Sequence, residues 1–287
     1  MSLPSQPGNL AAHAAPGGYY TPPPSWWPLV GSVALLTLAS GFILLLAKVG
    51  AGPWVMALGF AILVFMLFGW FGNVIRESLA GRYNPQVDRS FRWGMVWFIF
   101  SEVMFFGGFF GALFYVREFA IPWLAHTPLL WPGYDGAWPT EGPGLKDAFT
   151  PMAAWGLPAI NTLILLSSGA TVTWAHWGLK SGRRGQLALG LLLTVLLGAL
   201  FLTFQAYEYH EATFSLKTGI YGATFFMLTG FHGLHVTLGA VMLTVILLRV
   251  QAGHFTPDHH FAFEAVSWYW HFVDVVWLLL FVFVYWL

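Results

Sequence analysis

Long apolar runs broken by short polar stretches dominate the chain from residue 27 to its end. A bilayer core takes about 20 apolar residues in a helix. By that measure seven spans are predicted: 27–47, 54–75, 93–119, 153–177, 187–207, 219–249 and 265–287. The sixth would be about 45 Å long as one helix, more than a ~30 Å hydrocarbon core, so it should tilt or protrude. Residues 48–53 leave room only for a hairpin turn. Residues 120–152 form the long connection, punctuated by Pro122, Pro128, Pro132, Pro139, Pro143 and Pro151, and are expected to lie as a loop on the membrane surface.

The predicted fold class is therefore an all-α membrane protein with seven transmembrane helices. Residues 1–26, rich in Pro, Gly, Ala and Ser, are expected to be an irregular tail. Residues 27–287 are expected to form the membrane domain, divided into 27–92 with helices one and two and 93–287 with helices three to seven. Loop charges give the orientation. Eight Lys and Arg (Arg76, Arg82, Arg89, Arg92, Lys180, Arg183, Arg184 and Arg249) fall on one side, and four (Lys48, Arg117, Lys146 and Lys217) on the other. The excess predicts an inside N-terminus and an outside C-terminus.

Composition narrows the chemistry. Charged residues make up only 8% of the 287 and the formal net charge is zero, so a nucleic-acid partner is not expected. Cysteine is absent, which excludes disulfides, thiolate metal sites and iron–sulfur clusters. The first 26 residues hold no Lys or Arg, so no signal or transit peptide is expected there.

Against this apolar background the ionisable exceptions stand out. Glu102 is the only acidic residue between Arg92 and Arg117. It lies roughly 14 Å along the helix from Trp93, near mid-membrane. A charge there costs at least about 2.5 kcal/mol on insertion scales, so it needs a partner or a task. In the sixth span His232 and His235 are three apart, share a helix face, and lie at a similar depth. They are candidate partners for Glu102. A metal pair is the alternative, but the same run offers no third ligand, and two neighbours on one helix cannot ligate haem from both sides. His271 and Asp274 repeat the three-residue spacing in the seventh span, as a structural pair or a proton relay. No nucleophile elbow, phosphate loop or carboxylate dyad occurs.

Two sets close helices near the side richer in Lys and Arg: Trp70, Arg76, Glu77, Arg82 and Tyr83 after the second span, and Arg249, His254, His259 and His260 after the sixth. Interface anchoring explains such residues; a pocket for anionic lipid head groups uses the same types. Tyr207-Glu208-Tyr209-His210-Glu211 reads as a docking patch or a solvated turn at the other surface.

Several stretches together resemble subunit III of the haem-copper cytochrome c oxidases. They are Trp93-Gly94-Met95 through Ser101-Glu102-Val103-Met104-Phe105-Phe106; Asn161-Thr162-Leu163 through Thr173-Trp174-Ala175-His176; Gln205-Ala206-Tyr207-Glu208-Tyr209; Gly230-Phe231-His232-Gly233-Leu234-His235-Val236; and Phe263-Glu264-Ala265 through Trp268-Tyr269-Trp270-His271-Phe272-Val273-Asp274-Val275-Val276-Trp277. The likeness covers residues 25–287 in order.

The resemblance implies seven helices, the first two splayed from a five-helix bundle by a lipid-filled cleft. It implies no metal or redox cofactor in this chain, with haem and copper in partner subunits and phospholipid bound here. It implies subunit I as the main contact, subunit II as a second, and cytochrome c reached only through the complex. The implied role is accessory: supporting proton uptake by subunit I and its stability in a proton-pumping oxidase of aerobic respiration. Glu102 matches the family's carbodiimide-reactive carboxylate. Lipid contacts carry over to Trp70, Arg76, Glu77, Arg249 and His254, and to Tyr83, where the family's His-His-x-Pro is replaced by Arg82-Tyr83-Asn84-Pro85. Gly111 stands where a Trp is common. A quinol oxidase subunit, typically with five helices, and an independent proton-conducting transporter using Glu102, His232, His235 and His271 are the alternatives. A bacterial plasma membrane is the expected location, with the mitochondrial inner membrane as alternative.

Overall fold

Several helices outrun the apolar segments that announce them, α3, α6 and α7 among them. The computed structural model describes residues 20–144 and 149–287, and all regular elements among them are helical. They are α1 (Trp27–Leu46), α2 (Gly52–Leu79), α3 (Pro85–Tyr115), a π-helical stretch (Val116–Ala120), α4 (Ile121–Ala125), α5 (Leu157–Lys180), α6 (Arg184–Glu211), α7 (Gly219–Gln251), α8 (Phe261–Leu280) and a second π-helical stretch (Phe281–Trp286). Among the described residues seven helical segments are long and apolar enough to cross a membrane, with Pro85–Ala125 counted as one. Residues 1–19 of the tail, and Lys146 of the charge count, lie outside the described residues.

The third span shows why hydropathy misplaces helix ends. Its apolar run starts near Trp93, yet the helix begins at Pro85, because Asp88, Arg89 and Arg92 are compatible with helix although not with lipid. Asn84 caps this start, its side-chain oxygen accepting from the Val87 N–H at 2.9 Å, with Pro85 in the first helical position. At the far end the loop predicted from residue 120 begins only after Ala125. Pro122 follows residues that are already helical, and the backbone runs from the π-helical stretch into α4 without a break. Pro28, Pro53 and Pro158 stand in the first turns of α1, α2 and α5, where a missing N–H costs nothing. Pro53 and Pro122 thus lie in helices where the sequence pattern suggested a turn and a loop.

Two compact units divide the chain, residues 1–91 and 92–287. In the first, α1 and α2 form an antiparallel hairpin. The turn is a Schellman motif: Val49 N–H reaches Leu44 O at 2.9 Å and Lys48 N–H reaches Leu45 O at 3.0 Å, with Lys48 at φ 59°. Glycines bring the helices together. A Cβ on Gly41 would stand 2.5 Å from the Met56 backbone nitrogen, and one on Gly59 would stand 2.6 Å from that of Leu38.

In the second unit α5, α6, α7 and α8 pack around Trp270, which is fully buried. Its ring lies where Cβ atoms on Gly198 of α6 or Gly239 of α7 would approach within 2.8 Å, and its Nε1–H donates to Ser168 Oγ of α5 at 2.9 Å. One side chain thus touches three neighbouring helices. Trp277 repeats the link one level along, donating to Thr162 Oγ1 at 2.9 Å. The residues of α3 in this unit join through rings, Phe105 to Phe231 at 5.1 Å and Phe98 to Tyr269 at 6.2 Å.

Candidate functional site

Four local assemblies in the second unit gather ionisable residues. The first joins α3 to α7: Glu102 Oε2 lies 2.9 Å from His235 Nε2. His235 Nδ1 lies 2.6 Å from the Phe231 carbonyl, which only accepts, so that nitrogen must carry a proton. The contact at Nε2 then requires a second proton, on the imidazole or on the carboxyl. Phe106 at 5.0 Å and Phe105 at 5.9 Å wall the ring, and Tyr269 stacks at 6.4 Å. This is a two-proton pair held in aromatic surroundings.

His232 takes no part in it. The ring turns to α8, with Nε2 at 3.2 Å from the Val273 carbonyl, and packs beside Trp277 and Phe201. Its Nδ1 is buried with no hydrogen-bond partner among the described residues. The spacing that placed both imidazoles on one face is met, but neighbours on different sides divide them.

The second assembly is His271 with Asp274, 3.5 Å apart, beside Thr173, whose Oγ1 is 3.3 Å from His271 Nε2. They line a groove with Gly169, Trp177 and Leu278. A Cβ at Gly169 would run into the Asp274 carboxylate, so this glycine makes room for the pair.

The third was not foreseen. Tyr207–Glu211, read as a surface patch or solvated turn, is the last turn of α6, and Glu208 is buried. The Tyr285 hydroxyl donates to its Oε1 at 2.7 Å, while Gln205 one turn back is also buried. Helix continuation past Tyr207 turned a presumed surface carboxylate inward. The i, i+3 spacing of Gln205 and Glu208 was the available signal.

The fourth gathers Arg92 from α3, His176 from α5, and His260 and Glu264 from the start of α8. Arg92 pairs with Glu264 Oε2. His176 and His260 face Oε1 at 3.6 and 3.4 Å. Only the four-residue step from His260 to Glu264 is visible in sequence; the other members come from distant segments.

The residues suggested for lipid fall in both units. In the first, Arg76 bonds Asn73, and the Tyr83 hydroxyl donates to Glu77 Oε2 at 2.9 Å. Burial, with Glu77 beside it, pushes the Tyr83 phenol well above its ordinary pKa. Trp70 is exposed. In the second unit the Arg249 guanidinium lies 4.5 Å above the Phe255 ring. Arg249 Nε and His254 Nδ1 are buried without hydrogen-bond partners among the described residues. The turn at Gly253 (φ 75°) brings them together, with His254 N–H bonded to Arg249 O at 3.0 Å.

The family model described as cytochrome c oxidase subunit III matches residues 18–287. Among similar curated proteins is cytochrome c oxidase subunit 3 of Danio rerio, 46% identical over 276 residues, covering 96% of this chain and 97% of the relative. That of Cyprinus carpio is 45% identical with the same coverage. That of Dugong dugon is 44% identical over 269 residues, covering 93% and 96%.

Proposed function

Because this integral membrane protein belongs to the cytochrome c oxidase subunit III family, we propose that it is the accessory, non-redox subunit of a proton-pumping oxidase. In this reading it sustains proton uptake by subunit I, slows loss of activity during turnover, and holds phospholipid. Haem and copper reside in the partner subunits, subunit I being its main neighbour and subunit II a second. The observation that carries the reading is the engagement of the three imidazoles of α7 and α8, His232, His235 and His271. Both nitrogens of His235 are engaged, His232 faces a carbonyl, and His271 sits between Asp274 and Thr173. Each is oriented by a local partner, as structural groups are, rather than converging on a shared centre.

Lipid head groups are assigned to Arg249 and His254 in the second unit, whose buried nitrogens lack protein acceptors among the described residues and suit a phosphate. Trp70 and Arg76, flanked by the Glu77–Tyr83 pair, are assigned the same task in the first. The N-terminus is placed inside by loop charge, and the Gly- and Ala-rich composition supports a bacterial plasma membrane.

Purified oxidase with and without this chain tests the role. Initial electron transfer should be retained without it, while activity decays faster over successive turnovers. Equal decay would overturn the proposal. Proton flux through the chain alone in proteoliposomes would establish the transporter reading instead. For lipid, Arg249→Ala should lower the phospholipid retained by the complex in mass spectrometry, and unchanged retention would remove Arg249 as a ligand.

A further inference from the structure

We propose that His176, His260 and Glu264 form a binding site for Zn2+ or a divalent cation of its class, at the end of the bundle where α5 finishes and α8 begins. The three donor atoms lie within 4.8 Å of one another. Two imidazole nitrogens and one carboxylate oxygen are a zinc donor set that leaves a fourth position open. Tetrahedral bonds of about 2.0–2.1 Å place donor atoms about 3.4 Å apart. The distances to Glu264 Oε1 are 3.4 Å from His260 Nε2 and 3.6 Å from His176 Nε2. Those two edges already have the length a tetrahedral ion needs, and the two imidazole nitrogens, within 4.8 Å of each other, close on the ion by side-chain rotation.

Hydrogen bonding prepares the ligands. His260 Nδ1 lies 3.2 Å from the Thr256 carbonyl, so Nδ1 carries the proton, and in the neutral ring the Nε2 lone pair faces the carboxylate. The Nε2 atoms of His176 and His260 are both buried and have no hydrogen-bond partner among the described residues. Two buried nitrogens and an oxygen therefore converge on one point, where a cation would satisfy all three at once. Arg92 occupies the other oxygen, Oε2, and fixes the plane of the carboxylate so that Oε1 is directed to the imidazoles. The two imidazoles belong to separate segments, His176 near the end of α5 and His260 just ahead of α8, so the ion would tie two helices together.

The site is separate from the His232–His235 pair, for which a metal was the alternative reading of the sequence. It depends on the bundle geometry and not on the accessory-subunit reading. Zinc itself is the probe. Chelator-stripped oxidase is equilibrated with ZnCl2, washed, and its metal counted by mass spectrometry for wild type, His176→Gln and His260→Gln. Each variant should hold one zinc fewer per complex than wild type, while both retain this chain. Equal zinc in all three would overturn the proposal. Zinc-soaked wild-type oxidase provides the second measurement should a variant fail to assemble: cryo-electron microscopy should reveal density bonded to all three donors. Absence of that density at saturating zinc would overturn the proposal whatever the variants do.

Discussion

Every helix of the α1–α2 hairpin and of the α5–α8 bundle is long and apolar enough to cross a membrane, yet only the bundle has an interior. In α1 and α2 just 11% and 6% of the apolar windows are buried, against 50% in the final span. The hairpin is closed by backbone proximity at Gly41 and Gly59, and its large side chains (Leu36, Trp54, Phe68) point outward. The bundle is organised about Trp270 and buries Asn161, Thr194, Gln205, Glu208 and His232. In lipid, apolar burial by itself drives association weakly, so close packing and hydrogen bonds decide which helices cohere. The hairpin has the first and the bundle has both. Hydropathy therefore says that a helix crosses the membrane and little about what it holds once there.

The largest expected effect tests the bundle side of that contrast. Trp270→Ala empties space shared by three helices and leaves Ser168 without its donor, at a cost of about 3–5 kcal/mol. Thermal unfolding of the purified chain in detergent should record it. A shift no greater than that of an outward hairpin residue would mean the bundle has no privileged core. The hairpin's counterpart is Gly59→Leu. The new side chain meets the Leu38 backbone, so α1 and α2 must part, costing about 1–3 kcal/mol. A neutral result would show that backbone proximity does not hold this unit together.

A smaller effect separates hydrogen bonding from packing inside the bundle. A double-mutant cycle with Glu102→Gln and His235→Ala should give a coupling energy of about 0.6–1.7 kcal/mol, the range for interhelical hydrogen bonds in membranes. Zero coupling would make the 2.9 Å contact incidental, and the aromatic wall with the Arg92–Glu264 pair would then hold α3.

Legibility in the sequence follows the same division. The seven spans could be read because transfer into lipid acts on each residue independently and accumulates over about 20 positions. The candidate partnership of Glu102 with an imidazole of α7 could be read from matching depth. Which imidazole could not, since His232 and His235 differ only in what α8 and α3 place beside them. Glu208 was hidden because hydropathy ends a span where charges begin, whereas the helix ignores that boundary for another turn. The Arg92–His176–His260–Glu264 cluster was hidden for a topological reason. Its members come from three helix ends brought together by packing, and no period within one segment records that.

The smallest effect tests the outward face of the hairpin, where the two units differ most. Phe68 is 77% exposed on the surface of the chain. In detergent or lipid its surroundings are apolar whether or not the chain is folded, so the transfer contribution to Phe68→Ala nearly vanishes. The purified chain should therefore change by no more than about 0.5 kcal/mol, as for other surface substitutions. The assembled oxidase gives the informative comparison. If a partner subunit or ordered lipid covers this face, the same substitution removes contacts only in the complex, and the chain should be released by detergent sooner than wild type. Equal release would show that Phe68 faces fluid lipid throughout, and that the hairpin's aromatic exterior contributes hydrophobic thickness rather than a docking surface.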